Sequence, residues 1–289
     1  MSQAPASIGS VPDTSFLMAV FRAVESSRPD ALFKDPFAEL LAGDRGYELQ
    51  QSQPGGGKRG SLSYTVRTVV LDEMIAEAVT DGYDSVLSLG AGLDARPFRL
   101  VLPPDLLWVE ADLAPVIAYK QGMLARYRPN CHLESYAVDV GDAKARQKLL
   151  DRVVSSSGRA LVLTEGLLAY LDADQVSHLA QELAARRTFQ RWLTDLATPY
   201  AQKAMQKKIE RLQDVGGSWL KFAPPEGVAF FADSGWRETE FCSLLEEGLR
   251  RKRTPMPRLF GTLLKRIASP TGWRTLCRMA GGVHVLSRA

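Results

Sequence analysis

The chain has 289 residues, of which 45% are hydrophobic and 24% charged, as is ordinary for a globular protein with a sizeable core. The net charge of +3 is too small to indicate nucleic-acid binding, and no apolar run is long enough to span a bilayer. The N-terminus lacks the features of a secretion signal, and the three cysteines have no spacing suited to zinc or to a redox pair. We therefore expect a cytoplasmic protein with no nucleic-acid partner and no membrane span.

The N-terminal part of the sequence predicts a helical cap. After a polar leader, residues 14–42 carry apolar side chains at helical spacing, interrupted at Arg28-Pro29-Asp30, which predicts two helices. The glycine-rich stretch SQPGGGKRGS (52–61) predicts a flexible connection. We therefore divide the chain into a leader and cap, 1–62, and a larger domain, 63–289.

From residue 63 the sequence alternates between helical and strand patterns. A helix is predicted over 63–82, and strands are predicted at SVLSL (85–89), LLWVEAD (106–112), CHLESYAVDV (131–140), ALVLTEG (160–166) and RTFQRWLTDLA (187–197). Helical patterns lie between these strands, at 114–127, 143–154 and 173–185. This alternation predicts an α/β fold with a doubly wound, largely parallel sheet.

The alternation stops after Pro199. A charged helix is predicted at 200–214, and we interpret 200–232 as an insertion that forms a lid over the strand ends. The stretch DSGWRETEF (233–241) predicts a glycine turn that begins another helix, and GGVHVLSRA (281–289) predicts a last, edge strand.

Polar groups stand at the carboxyl ends of successive predicted strands. The first strand ends in the turn Gly90-Ala91-Gly92, and acids follow at Asp112, Asp139 and Glu165. Because parallel strands end at one edge of a sheet, these groups are expected to converge on one crevice. An acid about 20 residues after a glycine-rich turn is well placed to bind ribose hydroxyls, which predicts an adenosine cofactor.

Asp94 favours one adenosine cofactor over another. A dinucleotide rests its pyrophosphate on the helix that follows the glycine turn, and a carboxylate there would repel it. S-adenosylmethionine has no phosphate and carries cationic amino and sulfonium groups, so an acidic crevice suits it better. The alternative is that Asp94 caps a helix beginning at Ala95, and the two roles are compatible.

The same residues resemble a known family. VRTVVLDEMI, GYDSVLSLGAGLDARPFRL, VEADLAPVIAYK, YAVDV and LTEGLLAYL are similar to the leucine carboxyl methyltransferase family, in particular its bacterial branch of S-adenosylmethionine-dependent O-methyltransferases. The N-terminal ESSRPDALFKDPFAELLAG and the later DSGWRETEF also resemble that branch, so the resemblance covers roughly residues 15 to 245. It implies a Rossmann-like class I methyltransferase fold with an added cap and lid.

The resemblance also implies roles for individual residues. Arg67 would pair with the carboxylate of the cofactor's methionine part, Glu165 would lie near its amino group, and Tyr170 would face the acceptor. The remaining positions would contact the rest of the cofactor: the turn Gly90, Ala91 and Gly92 by close backbone approach, Asp112 with Leu113 at the ribose, and Asp139 with Val140 at the adenine.

These observations lead to a functional hypothesis with two alternatives. We expect an S-adenosylmethionine-dependent O-methyltransferase that acts on a carboxylate or hydroxyl of a small molecule or peptide end. No histidine is placed as a general base, which favours the carboxylate, and the three histidines have no spacing for a metal site. The alternatives are an NAD(P)-dependent oxidoreductase and a cofactor-binding protein without catalysis.

Three further features have open or structural interpretations. The basic run RRKRTPMPR (250–258) is interpreted as a solvated connection, with a patch for an acidic partner or membrane surface as the alternative. Trp192, Trp236 and Trp273 are expected to be core or lid aromatics. Trp219 and Phe222 could equally contact substrate. The oligomeric state is left open.

Overall fold

The computed structural model describes residues 11–52, 58–200, 202–203, 220–254, 261 and 265–289. Its centre is a seven-stranded sheet with the order β3-β2-β1-β4-β5-β7-β6. The strands are β1 (Ser85–Leu89), β2 (Leu107–Asp112), β3 (His132–Ala137), β4 (Ala160–Thr164), β5 (Phe189–Asp195), β6 (Trp236–Ser243) and β7 (Gly282–Arg288). The predicted α/β class is therefore confirmed.

The first five strands are parallel and lie where the sequence predicts them. All five residues of β1 and all five of β4 are buried, because each of these central strands is covered on both faces. The chain runs outwards from β1 through β2 to β3, and then returns to place β4 on the other side of β1. The strand order thus reverses between β1 and β4, which is the place where such sheets open a ligand crevice.

The described helices cover both faces of the sheet and one of its ends. They are α1 (Val11–Ser26), α2 (Ala38–Ser52), α3 (Lys58–Thr80), α4 (Arg96–Arg99), α5 (Ala114–Leu124), α6 (Ala143–Ser156), α7 (Ala173–Ala184), α8 (Leu244–Arg250) and α9 (Pro270–Ala280). One core lies between the sheet and α3, and a second lies between the sheet and α6 and α7. Within the described ranges, no helix has the length and apolar character that crossing a bilayer requires.

Two predictions for the C-terminal part of the sheet are wrong. Residues 236–243 form β6, the outer strand, rather than the start of a helix, and β7 lies between β5 and β6 rather than at the edge. Both strands run antiparallel to their neighbours. An edge strand with a solvent-exposed face carries charged residues, and those of Arg237-Glu238-Thr239-Glu240 hide the strand pattern.

Two N-terminal helices occur, as predicted, and pack tightly on each other. The second runs over Ala38–Ser52 instead of ending at residue 42, and residues 31–37 before it are not helical. A side chain at Gly46 of α2 would meet Val20 of α1 at 2.7 Å, so the glycine allows the two helices to approach closely. Arg22 of α1 binds Asp35 at 2.8 Å and donates to the carbonyl of Leu93 at 2.6 Å. These contacts fix α1 directly above the turn that follows β1. The division of the chain at residue 62 stays a prediction. Of the predicted flexible connection, residues 53–57 lie outside the described part, and residues 58–61 begin α3, which corrects the prediction.

The basic run contributes a buried clamp, which corrects its interpretation as a solvated connection. Arg253 has a side-chain exposure of 2% and binds Glu25 of α1, itself 2% exposed, at 2.9 Å. Arg253 also binds Asp30 at 3.1 Å, and Arg251 binds Glu73 and Glu247. The described part of the run therefore ties the C-terminal half of the chain to the cap. Residues 255–258 lie outside the described part.

The predicted lid, 200–232, is described at residues 200, 202–203 and 220–232, and residues 201 and 204–219, with Trp219, lie outside the described part. Phe222 is buried and packs against Phe230 and Phe231, which favours its interpretation as a core aromatic. The amide of Lys221 donates to the carbonyl of Ala169 at 2.7 Å, which places this segment beside the end of β4. Trp192, Trp236 and Trp273 are buried, as expected.

Candidate functional site

The turn after β1 follows a backbone path that favours glycine. Gly90 has a φ of +66° and Gly92 a φ of +50°, values that residues with a side chain rarely adopt. An added Cβ at Gly90 would lie 2.8 Å from Leu167, just after β4, and one at Gly92 would lie 3.2 Å from Ser15 of α1. The turn therefore lies at the strand-order reversal, with α1 above it, and its shape requires glycine.

Asp112 ends β2 beside this turn. Its Oδ2 accepts from the amide of Gly92 at 2.6 Å, and its Oδ1 accepts from the amide of Leu113 at 2.7 Å. Burial raises the pKa of the carboxyl, and the two backbone bonds oppose that rise. The side chain is half-buried, and each oxygen keeps a lone pair beyond the bond it accepts, so the carboxylate has capacity for ligand hydroxyls.

Asp139 and Val140 lie next to Asp112, beyond the end of β3. The amide of Val138 donates to the carbonyl of Asp112 at 2.9 Å, which brings this segment to the outer side of the crevice. Asp139 is exposed and accepts from the amide of Gly141 at 2.8 Å, whereas Val140 is buried. The strand is shorter than predicted, and the residues expected at its end belong to the loop that follows it.

Asp94 has a different environment from the one that the sequence suggests. Its Oδ1 accepts from the amide of Arg96 at 3.0 Å, and its Oδ2 binds the guanidinium of Arg96 at 2.8 Å. Burial alone would raise the pKa of this carboxyl, but the charge of Arg96 holds it far below its usual range. The carboxylate is therefore neutralised by an arginine and does not stand bare in the crevice.

This pairing changes the argument against a dinucleotide. The helix α4 begins at Arg96, not at Ala95, and has only four residues. Its first amide is already bound by Asp94. The helix N-terminus that would receive a pyrophosphate is therefore short and occupied by a carboxylate.

Arg67 and Glu165 meet at the other end of the crevice. The Nε atom of Arg67, on α3, donates to Oε1 of Glu165 at 2.9 Å, and its Nη1 donates to Oδ2 of Asp195 at 2.6 Å. Burial would lower the pKa of the guanidinium, but the two acids raise it above its ordinary value. A ligand carboxylate would therefore meet Nη2, or would displace one of the acids, rather than find a free two-pronged fork.

Two residues of this arrangement escape the sequence analysis. Asp195 ends β5 and accepts from both Arg67 and the amide of Gly166, the latter at 2.7 Å. The rule that identifies acids at strand ends, applied to the fifth strand, would have found it. Arg96 is fully buried and binds Glu165 from the side opposite Arg67. A single arginine beside a proline gives no pattern that signals such a role.

Tyr170 lies on a short 3-10 helix, Leu168–Tyr170, that follows β4. Burial raises the pKa of its hydroxyl, and a hydrogen bond with Thr14 of α1 partly opposes that rise. The contact with Thr14 places the tyrosine beneath the first turn of α1. A small cavity between α1 and α3 is lined by Met18 and Tyr64 and reaches Arg67 and Glu165.

The histidines and the acids do not form a metal site in the described part of the chain, where no cluster of suitable ligands occurs. His132 and His178 are exposed, and His132 begins β3, at the end of the sheet opposite the crevice. His284 binds Glu238 at 2.7 Å. All three histidines are therefore engaged or placed away from the glycine turn.

Comparison with known proteins gives a consistent result. A family model described as leucine carboxyl methyltransferase matches residues 15–184, more than half of the chain. A Parafrankia protein named as an S-adenosyl-L-methionine-dependent methyltransferase is 28% identical over 252 residues, which cover 80% of this chain and 78% of that protein. A similarly named protein of Mycobacteroides abscessus is 34% identical and covers 69% of this chain and 64% of its own length. A solved structure from Thermobifida fusca, named as a methyltransferase, shares the fold with a TM-score of 0.53 at 18% identity and covers 95% of this chain and 94% of that one.

Proposed function

We propose that this protein methylates a carboxylate oxygen of a small molecule or of a peptide end. The chain belongs to the leucine carboxyl methyltransferase family and is therefore an S-adenosylmethionine-dependent methyltransferase. Its α/β fold is the Rossmann-like class I methyltransferase fold. Family membership rules out the alternative of a dinucleotide-dependent oxidoreductase. A cytoplasmic location stays a prediction.

The residues around the crevice fit the cofactor. Asp112 beside the turn has acceptor capacity for the ribose, and we propose that the backbone of Gly90, Ala91 and Gly92 borders the cofactor. We propose that Leu113 borders the ribose and that Asp139 and Val140 border the adenine, since the loop after β3 lies next to Asp112.

The amino-acid end of the cofactor would lie at the opposite end of the crevice. We propose that Arg67 receives its carboxylate and that Glu165 receives its ammonium group, because the two side chains are 2.9 Å apart and of opposite charge. The single observation that carries this assignment is the strand-order reversal, which places Asp112 on one side of the glycine turn and Glu165 on the other.

When bound, S-adenosylmethionine supplies an electrophilic methyl carbon for in-line attack by the acceptor oxygen. The chain's own contribution is position and the exclusion of water. Tyr170 stays protonated at neutral pH because burial raises its pKa, so its hydroxyl donates a hydrogen bond but does not take up a proton. A carboxylate needs no base, since it is already ionised, and this favours it over a hydroxyl as the acceptor.

The experiment follows a radiolabelled methyl group from S-adenosylmethionine into a panel of small carboxylic acids, peptides with free carboxyl ends, and phenols. A methyl ester releases labelled methanol in mild base, whereas a methyl ether does not. We expect base-labile label on a carboxylic acceptor. Label that resists base would contradict the carboxylate assignment, and cofactor binding without transfer to any acceptor would favour a non-catalytic binding protein.

A further inference from the structure

The buried guanidinium of Arg96 connects three elements of the crevice. We propose that Arg96 is a positioning residue that holds Glu165 as an oriented carboxylate for the cationic end of the cofactor. This proposal rests on the proposed function, since it concerns how the site recognises the amino-acid part of S-adenosylmethionine.

Arg96 reaches each of these elements by a direct contact. Its Nη1 binds Oε2 of Glu165 at 2.7 Å, at the end of β4, and Oδ2 of Asp94 at 2.8 Å, in the glycine turn. Its Nε binds Oδ1 of Asp72 on α3 at 2.6 Å, and its Nη2 donates to the carbonyl of Thr68 at 3.4 Å. Thr68 is the neighbour of Arg67 in the sequence. Arg96 therefore fixes the positions of the glycine turn, Glu165 and the segment that carries Arg67 relative to one another.

Glu165 needs such a partner if Arg67 is to bind a ligand. Its Oε1 binds Arg67 and its Oε2 binds Arg96. When Arg67 turns towards a ligand carboxylate, Oε1 becomes available to a cation, while Arg96 still holds Oε2 in place. The two arginines thus have different roles. Arg67 can exchange Glu165 for a ligand carboxylate, whereas Arg96 is held in place by three acids and a carbonyl.

The charge of Arg96 also keeps Glu165 ionised. Burial alone would raise the pKa of this carboxyl, and the charges of Arg96 and Arg67 lower it below the ordinary value of 4.5. An ionised carboxylate with one oxygen available is the group that an ammonium ion requires.

The chain offers a closely matched control in Arg99. It lies on the same helix, has the same side-chain exposure of 2% as Arg96, and binds the same partner, Asp72, at 2.7 Å. Its described ion pairs, with Asp72 and Asp35, do not include Glu165. A change at Arg99 therefore disturbs the same buried network without removing a contact to Glu165, the residue proposed to bind the ammonium group of the cofactor.

The experiment compares two ligands by calorimetric titration: S-adenosylmethionine and 5′-methylthioadenosine, which lacks the amino-acid part. In Arg96→Lys we expect the affinity for S-adenosylmethionine to fall about 10- to 100-fold, because the variant loses about one charge-assisted hydrogen bond. Binding of methylthioadenosine should change less than about twofold. Arg99→Lys should leave the ratio of the two affinities unchanged.

Equal losses for both ligands in Arg96→Lys, or the same selective loss in Arg99→Lys, would overturn the proposal. If Arg96→Lys does not fold, the wild type still tests it: the ratio of the two affinities should stay constant from pH 7 down to pH 4.5, the ordinary pKa of glutamate. A ratio that falls by half over that range would overturn it. Wild-type protein that binds neither ligand would overturn the proposed function as well.

Discussion

Asp112 accepts from two backbone amides of the turn, and we propose that its open side faces the ligand. It holds two backbone amides, those of Gly92 and Leu113, and still has lone pairs on its open side. Its position 20 residues after Gly92 could be predicted from the sequence, because strand length and helix length fix that spacing. The backbone bonds could not, since they depend on the path of the turn.

Replacing Asp112 with alanine should remove a charged acceptor from the ribose. We expect Asp112→Ala to cost about 2–4 kcal/mol of affinity for S-adenosylmethionine, measured by calorimetric titration. Asp84→Ala is the matched control, because Asp84 also accepts from two backbone amides, those of Gly158 and Arg159, but stands before β1, at the far end of the sheet. Equal affinities for Asp112→Ala and the wild type would refute the ribose assignment.

Tyr170 is the residue proposed to face the methyl acceptor. If its hydroxyl orients the acceptor oxygen, Tyr170→Phe should retain the fold and the cofactor affinity but slow methyl transfer about ten- to a hundredfold. Because burial raises its pKa, the hydroxyl remains a donor through the neutral range, and the wild-type rate should be flat above the acceptor's own pKa.

The control for this variant is Tyr127→Phe, on an exposed tyrosine that packs against Phe37. It should transfer methyl groups at the wild-type rate. A Tyr170→Phe enzyme as fast as the wild type would exclude the orienting role, and a rate that climbs steeply into alkaline pH would argue for a hydroxyl acceptor.

At the scale of elements, the sequence predicts the buried parallel strands well and the antiparallel ones poorly. The central strands read as continuous apolar runs because both of their faces are covered. β6 has no regular alternation, because its register with β7 shifts between Glu238 and Glu240 and the adjacent residues Thr239 and Glu240 are both exposed. Its sequence therefore resembles a solvated helix as closely as an edge strand. Asp195 ends β5, so the strand-end rule that predicts Asp112, Asp139 and Glu165 extends to it without further information.

The clamp between Arg253 and Glu25 is an element-scale feature that no local pattern reveals, since 228 residues separate its partners. Arg253→Met should destabilise the fold by about 3–5 kcal/mol, measured by urea denaturation, because it leaves the buried Glu25 with only the longer ion pair to Arg28, at 3.7 Å. Arg250→Met, at a side chain that is 62% exposed, should change the stability by less than about 0.5 kcal/mol.

The double variant Arg253→Met with Glu25→Met distinguishes the net contribution of the ion pair from the cost of burying one charge without the other. Removing both charges should recover most of the lost stability, since a buried pair offsets its own desolvation only in part. A single variant as stable as the wild type would show that the clamp does not hold the cap in place.

At the scale of the whole molecule, the site is a consequence of topology. The reversal of strand order between β1 and β4 brings the glycine turn against Leu167, and Ser15 of α1 lies over the turn at Gly92. Alternating patterns in the sequence suffice to predict this architecture and the crevice. They do not predict the buried arginines, because Arg96 and Arg253 are matched to acids that become neighbours only in the folded chain.

A crystal structure with S-adenosylhomocysteine bound would test the proposed cofactor site directly. We expect the ribose hydroxyls within hydrogen-bond distance of Asp112, and the amino-acid part between Arg67 and Glu165. The side from which the methyl group would be transferred should face Tyr170. A nucleoside bound away from the turn at Gly90 to Gly92, or an amino-acid part directed away from Arg67, would contradict the account.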